Sequence, residues 1–440
     1  MVYLQDIKLE NFKCFEETRT LNFGKITLLT GANSTGKSSM MYSVLGALQG
    51  KDFPLSYSPN GCYVQMGNLI EMLYKHDSHR TLGINFTLVD SETEEKLKVY
   101  THWICTDAGN PILSSCELIG DFFRLYLRAD GDGEQLLDID VEPGKKKRKL
   151  KMEKMLEYAN SQTPLDGELL DLLKYSSKET HLKDCLVKED KPDVMYPFYF
   201  SLYEARTLLK RYDASINYIC SFRQPAQRIY TEEPVTSGKI ATSGEGFINE
   251  LLRWKDEKQE KFAEFVEAMK SLGLLYEVEP KRLGAGQFKI GVKVHENDEV
   301  ANLWDVGFGI SQTMPVIIAD VELGKESTLY VSQPEVHLHP RAQANLGDYL
   351  IKQTKNGKRY VIETHSEYLM NRLRLSVVRG DIDEEDIKVY YMGQEDGKTY
   401  IYEVKFTKSG QIIGAPKDFF DTYMIDVMDI AMQAKSNKRR

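Results

Sequence analysis

Cysteine is sparse and unpatterned, with six residues at positions 14, 62, 105, 116, 185 and 220 and no C-x-x-C pair. That spacing supports neither a disulfide framework nor a zinc ribbon, and it suits a reducing compartment. No stretch reaches the roughly 18 uncharged apolar residues that a membrane span needs, so no membrane association is expected. The opening segment, MVYLQDIKLENFKCFEE, has no basic region followed by an apolar core and a small-residue cleavage site. No secretory signal is read there, and a cytoplasmic location is expected. Sustained heptads, internal repeats and low-complexity tracts are also missing, which argues against a long coiled-coil arm. Basic residues are outnumbered, 57 against 66, for a net charge of −9. A surface that coats DNA along its whole length is therefore disfavoured, although a local basic cleft is not. What remains is an ordinary globular composition: 440 residues, 42% apolar and 28% charged. At about 150 residues per domain this gives two or three structural units.

Three regions differ in texture. Residues 1–105 alternate strands with a helix, as an α/β unit does. Lys25 to Thr30 is a short apolar run with β-branched residues, and it leads into GANSTGKSSMMYSVLGAL, whose second half has helical character. Leu82 to Val89 and Lys98 to Ile104 alternate as strands of an antiparallel sheet. Residues 106–275 are more polar, and MEKMLEYANSQ, GELLDLLKYSS and GFINELLRWKDEKQEKFAEFVEAMKSLGLL space apolar residues at three to four. They are expected to form a compact, mainly helical insertion. Its basic run, KKKRKLK at 145–151, is read first as a solvated loop and second as a nucleic-acid contact. Residues 276–440 return to α/β: Ser327 to Val331 and Arg359 to Ile362 are short buried strands that end in polar residues. An amphipathic helix from Asp418 to Met432 and a frayed tail are expected to follow.

The strongest chemical signal is Gly31-Ala32-Asn33-Ser34-Thr35-Gly36-Lys37-Ser38, which fits G-x-x-x-x-G-K-[ST] between a strand and a helix. The glycines let the backbone curl so that its N–H groups, with the positive end of the helix, surround a phosphate. Lys37 is expected to reach the β- and γ-phosphates and Ser38 to ligate Mg²⁺. No N-K-x-D string follows, so a guanine nucleotide is the weaker choice. Asp305-Val306-Gly307-Phe308-Gly309-Ile310-Ser311-Gln312 sets small and hydroxyl residues ahead of a helix, and LYVSQPEVHLHPRAQ and VIETHSEYLMNRL each begin as a buried strand.

In their order these strings resemble the ABC-type ATPase heads of the RecF, SMC and OLD group. The likeness is greatest to bacterial AAA-type ATPases of that group that end in a short domain of unknown function. It spans 1–105 and 276–440 and is looser between them, at Ser221 to Pro225 and Thr242 to Gly246. The resemblance implies an α/β fold, a P-loop core with an antiparallel β subdomain, and ATP with Mg²⁺ as ligands. It implies nucleotide contacts from Lys13 in Leu9-Glu10-Asn11-Phe12-Lys13, and from Asn33, Ser34, Thr35, Gly36, Lys37, Ser38 and Ser39. Gly309, Ser311 and Gln312 correspond to the signature that grips the γ-phosphate of an opposite subunit. His337-Leu338-His339-Pro340 resembles the D-loop region, His365 the switch histidine, and Gln65 the Q-loop residue that joins Mg²⁺. Gly414 to Asp421 is similar to the closing motif of the unnamed domain.

The sequence departs from that pattern where most such heads place an Asp for the Mg²⁺ water shell and a Glu for the attacking water. Here those positions are Ser332 and Gln333. Neither is a general base, so hydrolysis is expected to be slow or absent, with Gln333 orienting water or Glu335 serving in its place. Paired heads imply a homodimer or a larger homo-oligomer. About 75 residues follow His365, too few for a fused Toprim nuclease, so a nuclease effector would be a separate chain. Resemblance to the ATPase subunits of antiphage systems such as Septu suggests an HNH-type nuclease. The alternatives are an ATP-locked scaffold that does not hydrolyse, and a RecF-like DNA repair ATPase that contacts nucleic acid directly.

Overall fold

The first strand shows the period of a sheet with one covered face: Val2, Leu4, Ile7, Leu9 and Phe12 are buried, and the residues between them are more open. A bulge between Leu4 and Asp6 shifts the alternation by one residue, which keeps Ile7 and Leu9 inward. The computed structural model describes residues 1–121, 123–129, 136–143, 192–233, 238–416 and 419. The basic run at 145–151, the helical strings at 152–162 and 167–177, Cys185 and, Phe419 apart, the expected terminal helix at 418–432 lie outside the described residues.

The described chain divides into two compact units that interleave along the sequence. One holds residues 1–23, 38–216 and 326–328, the other 24–37, 217–325 and 329–440. This differs from three consecutive spans at 1–105, 106–275 and 276–440. The P-loop strand groups with residues far downstream, because parallel strands pair across long connections.

The first unit is built on an antiparallel sheet. It contains β1 (Val2–Phe12), β2 (Phe15–Glu17), β3 (Leu21–Asn22), β5 (Leu82–Asp90), β6 (Lys96–Cys105), β7 (Pro111–Gly120), β8 (Phe123–Ala129) and β9 (Leu136–Pro143). Their order is β2-β1-β5-β6-β7-β8-β9, with β3 also on β1. The span expected to be a mainly helical insertion thus opens with three strands, β7 to β9. Only afterwards comes the long helix α3 (Pro192–Ala214), preceded in the chain by α1 (Lys37–Gln49) and the single turn α2 (Leu69–Met72). Phe53 stacks on Phe86 at 6.1 Å, and Tyr57 lies 5.6 Å from Trp103, which is fully buried.

The second unit carries the sheet that positions the site. Its strands are β4 (Ile26–Gly31), β10 (Ile216–Ile219), β15 (Thr328–Ser332), β16 (Arg359–Glu363), β17 (Ile387–Glu395), β18 (Lys398–Phe406) and β19 (Ile412–Ile413), ordered β10-β15-β16-β4-β17-β18-β19. β4 is buried at every residue, and parallel neighbours flank it: Leu28 faces Ile362 of β16 and Val389 of β17. A smaller sheet joins β11 (Tyr230–Thr231), β12 (Glu277–Gly284), β13 (Gln287–Lys293) and β14 (Ala301–Asn302). The helices are α4 (Phe247–Glu257), α5 (Gln259–Ser271), α6 (Phe308–Leu323), α7 (Pro340–Thr354) and α8 (Glu367–Arg379). The continuous helical pattern read over 246–275 is broken at Lys258, which leaves helical geometry at φ −132° and ψ 61°.

Helix ends follow their local chemistry. The Ser366 side chain accepts from the Leu369 N–H at the start of α8, Arg379 lies in its last turn, and Gly380 closes it in the left-handed region. α6 is buried nearly all round from Ile310 to Val321, the mark of a central helix. Near its C-terminal end, Asp320 forms a buried ion pair with Lys358 at 2.9 Å and accepts from Tyr349 and Tyr360.

Candidate nucleotide-binding site

β4 delivers the chain to Gly31, where φ is +129° and a Cβ would stand 2.1 Å from the Met392 carbonyl oxygen. Only glycine fits there. The loop turns through Ser34, at φ 62°, and Gly36, at φ 99°. The Thr35 hydroxyl donates to the Ala32 carbonyl at 2.8 Å. Ala32, Asn33 and Ser34 are exposed, whereas Lys37 is buried and its Nζ donates to the carbonyls of Gly31 and Ala32 at 3.2 and 2.5 Å. Burial holds the Lys37 ammonium below its ordinary value, and the Glu363 carboxylate opposes that shift. Ser38 and Ser39 occupy the next two positions of α1, whose first turn has no acidic residue. A curled backbone that excludes a side chain, a lysine and an uncompensated helix start suit a triphosphate with magnesium.

Parallel pairing brings the carboxyl ends of β16 and β4 to one edge, and β15 ends beside them. The Gln333 N–H donates to the Glu363 carbonyl at 2.6 Å, and the Thr364 N–H to that of Leu29 at 3.0 Å. Ser332 is buried, and its hydroxyl donates to the Glu363 carboxylate at 3.0 Å and lies 3.3 Å from the Tyr218 hydroxyl. Gln333 sits half-buried in the left-handed region at φ 48°.

Glu335 points inward. It is 6% exposed, and one carboxylate oxygen accepts from the His365 N–H at 2.8 Å. Burial pushes its carboxyl up, against that hydrogen bond. The expected stand-in for the missing general base thus supports the His365 loop from beneath. His365 itself is exposed, and desolvation with the Lys37 charge lowers its imidazole below the ordinary value.

Two residues at this edge escaped the sequence reading of the site. Glu363 was hidden as the last letter of a strand, although an acidic residue closing an apolar run just before a candidate histidine was a usable signal. Arg223 had only a loose motif to recommend it. It is buried, and its guanidinium donates to the carbonyls of Ser332 at 2.7 Å, Gln333 at 3.1 Å and Gln312 at 3.3 Å. Desolvation pushes it down to about 10, so it stays charged at neutral pH.

The signature string divides by depth. Gly307 and Phe308 are exposed at the start of α6, and a Cβ on Gly309 would stand 2.5 Å from the His337 carbonyl oxygen. Ser311 and Gln312, expected to grip a phosphate, are instead buried. Their side chains donate to the carbonyls of Phe308 and Gln224, since α6 is packed against the protein on nearly every side from Ile310 onward. The His337 ring meets Phe308 edge-on at 4.9 Å, and His339 accepts from the Arg341 N–H to cap α7.

Lys13 and Gln65 belong to the other unit. The Lys13 ammonium donates to the Met66 carbonyl at 3.4 Å, and burial lowers it below its ordinary value. The exposed Gln65 side-chain amide donates to the Gly61 carbonyl at 2.9 Å, so Lys13, in the β1–β2 turn, reaches the loop that carries Gln65. Among the described residues no helix is long and apolar enough to cross a membrane.

Among solved structures, the chain is similar to the Smc head domain of Pyrococcus furiosus with an extended coiled coil, bound to the C-terminal domain of ScpA. That match has 13% identity, covers 100% of both chains and has a TM-score of 0.46. It is also similar to the SMC head domain of Thermotoga maritima, with 11% identity over 91% of this chain and 98% of that one, at a TM-score of 0.41. No curated protein matches. The family described as AAA ATPase domain matches residues 224–370. The family described as AAA domain matches residues 6–273, more than half of the length, and the chain belongs to that family.

Proposed function

We propose that the protein holds Mg-ATP between two copies of itself and uses that pairing to regulate or scaffold an effector. The observation that carries this reading is the grouping, within one unit, of the phosphate-loop lysine, Lys37, with the ends of β15 and β16. Released from the carbonyls of Gly31 and Ala32, the Lys37 ammonium meets the β- and γ-phosphates, and the loop N–H groups and the start of α1 surround them. Magnesium, when bound, screens the phosphate charge that develops in transfer. Ser38 is the hydroxyl that would hold it, and Gln65 is the second candidate ligand.

Gly307 and Phe308 give each head an exposed helix start, and in a pair that surface covers the nucleotide of the other copy. Only contacts made in the closed pair and absent from the open one drive closure. Gln333 orients water through its amide but takes no proton. Without an acid–base group, turnover falls by about 10²–10⁴. The pair of Ser332 and Gln333 favours a second reading, a scaffold that ATP stabilises by mass action without being hydrolysed. A cytoplasmic location, a separate nuclease as effector, antiphage defence, and direct nucleic-acid contact as in RecF-like repair rest on family resemblance alone.

ATP turnover and light-scattering mass, measured on the protein and on Gln333→Glu, separate these readings. Slow turnover with ATP-dependent doubling of mass supports the working head. Doubling without turnover supports the scaffold. A mass that ignores ATP contradicts both.

A further inference from the structure

We infer that Glu363, at the carboxyl end of β16, supplies the carboxylate that orders the magnesium water shell, the duty an aspartate at position 332 performs in most heads of this kind. The inference rests on the nucleotide-binding reading above and adds the residue that completes it.

Four observations carry it. The strand order β10-β15-β16-β4 sets β16 between β15, the strand that ends at Ser332, and the strand that leads into the P-loop. A carboxylate ending β16 therefore lies one strand closer to the loop than one ending β15. Glu363 is 7% exposed, and the Ser332 hydroxyl donates to its Oε2 at 3.0 Å. The serine occupies the vacated Walker B position and donates to the displaced carboxylate, which fixes its orientation. The Tyr218 hydroxyl, 3.3 Å from the Ser332 oxygen, extends the chain to β10. The Thr364 N–H donates to the Leu29 carbonyl at 3.0 Å, so the end of β16 that carries Glu363 lies beside the strand that runs into the phosphate loop at Gly31. Finally, a second carboxylate at position 332 would stand against the first, and two carboxylates at hydrogen-bond distance do not both ionise readily. Serine at 332 avoids that repulsion and donates a hydrogen bond in its place.

Ser332 is thus a positioning residue and Glu363 the group that meets the ion's water. Residues that orient a metal's first ligands typically change its affinity by about 10–100-fold when lost. The test uses the full chain and a fluorescent N-methylanthraniloyl ATP, titrated with excess Mg²⁺ and with EDTA. In the wild-type protein Mg²⁺ tightens binding. In Glu363→Gln the tightening shrinks by about 10-fold or more, while affinity in EDTA is unchanged or higher, since a negative charge near the phosphates is gone. Returning the carboxylate to β15 in Ser332→Asp/Glu363→Gln restores most of the tightening. Full tightening in Glu363→Gln, loss of affinity in EDTA as well, or a double variant as weak as the single one would each overturn the inference. Absence of binding by the wild-type protein in either medium would instead overturn the nucleotide-binding reading, and this inference with it.

Discussion

Gly31 shows how little freedom the site leaves its parts. A methyl group there combines a strained φ of +129° with a 2.1 Å approach to the Met392 carbonyl oxygen. Gly31→Ala is expected to lower unfolding free energy by about 2–4 kcal/mol, read as a shift in the urea midpoint. Glu335 gives a prediction in pH. Burial raises its carboxyl above the ordinary 4.5, so folding favours the protonated form. The stability this contributes is complete below about 4.5 and is lost as pH rises through the folded value. Glu335→Gln keeps an acceptor for the His365 N–H and removes the titration. Its urea midpoint should therefore change less than that of the wild-type protein between pH 4 and pH 8, and an equal change in both would contradict the assignment. Lys37 and Gly36 were plain in the sequence because their motif is contiguous. Glu363 was not, because its meaning depends on a partner 31 residues away, Ser332, that only strand order brings near.

Arg223 ties together elements that frame the site. It joins the end of β15 to the first turns of α6 through three carbonyls, so the signature helix and the Walker B turn share one buried guanidinium. Arg223→Met leaves those acceptors with fewer donors. At about 1–3 kcal/mol for each buried group left unsatisfied, a loss of at least about 2 kcal/mol is expected in urea unfolding. A loss under about 0.5 kcal/mol, the range of ordinary surface substitutions, would mean that the clamp is dispensable. The strands that frame the P-loop were legible because β4, β15 and β16 are short apolar runs ended by polar residues. β7 was not: its sequence, PILSSCELIG, places serines and a glutamate among its apolar positions, so its alternation is blurred, and its burial depends on pairing with β6 and β8. The split between α4 and α5 at Lys258 was hidden as well, since apolar spacing continues across it.

The chain folds as two interleaved units, and the nucleotide loop crosses from one to the other between Lys37 and Ser38. Consecutive sequence spans could not reveal this, because residues 24–37 are claimed by strands more than 300 positions downstream, β16 and β17. The net charge of −9 leaves nucleic-acid contact to a local surface, whereas the P-loop needs no overall charge to bind a phosphate. All of this turns on nucleotide at Lys37. Isothermal titration of the protein and of Lys37→Ala with Mg-ATP tests it most directly. Saturable binding to the protein and its loss in a Lys37→Ala variant with unchanged circular dichroism is the predicted result. Equal binding by both, or none by the wild-type protein, would contradict the account.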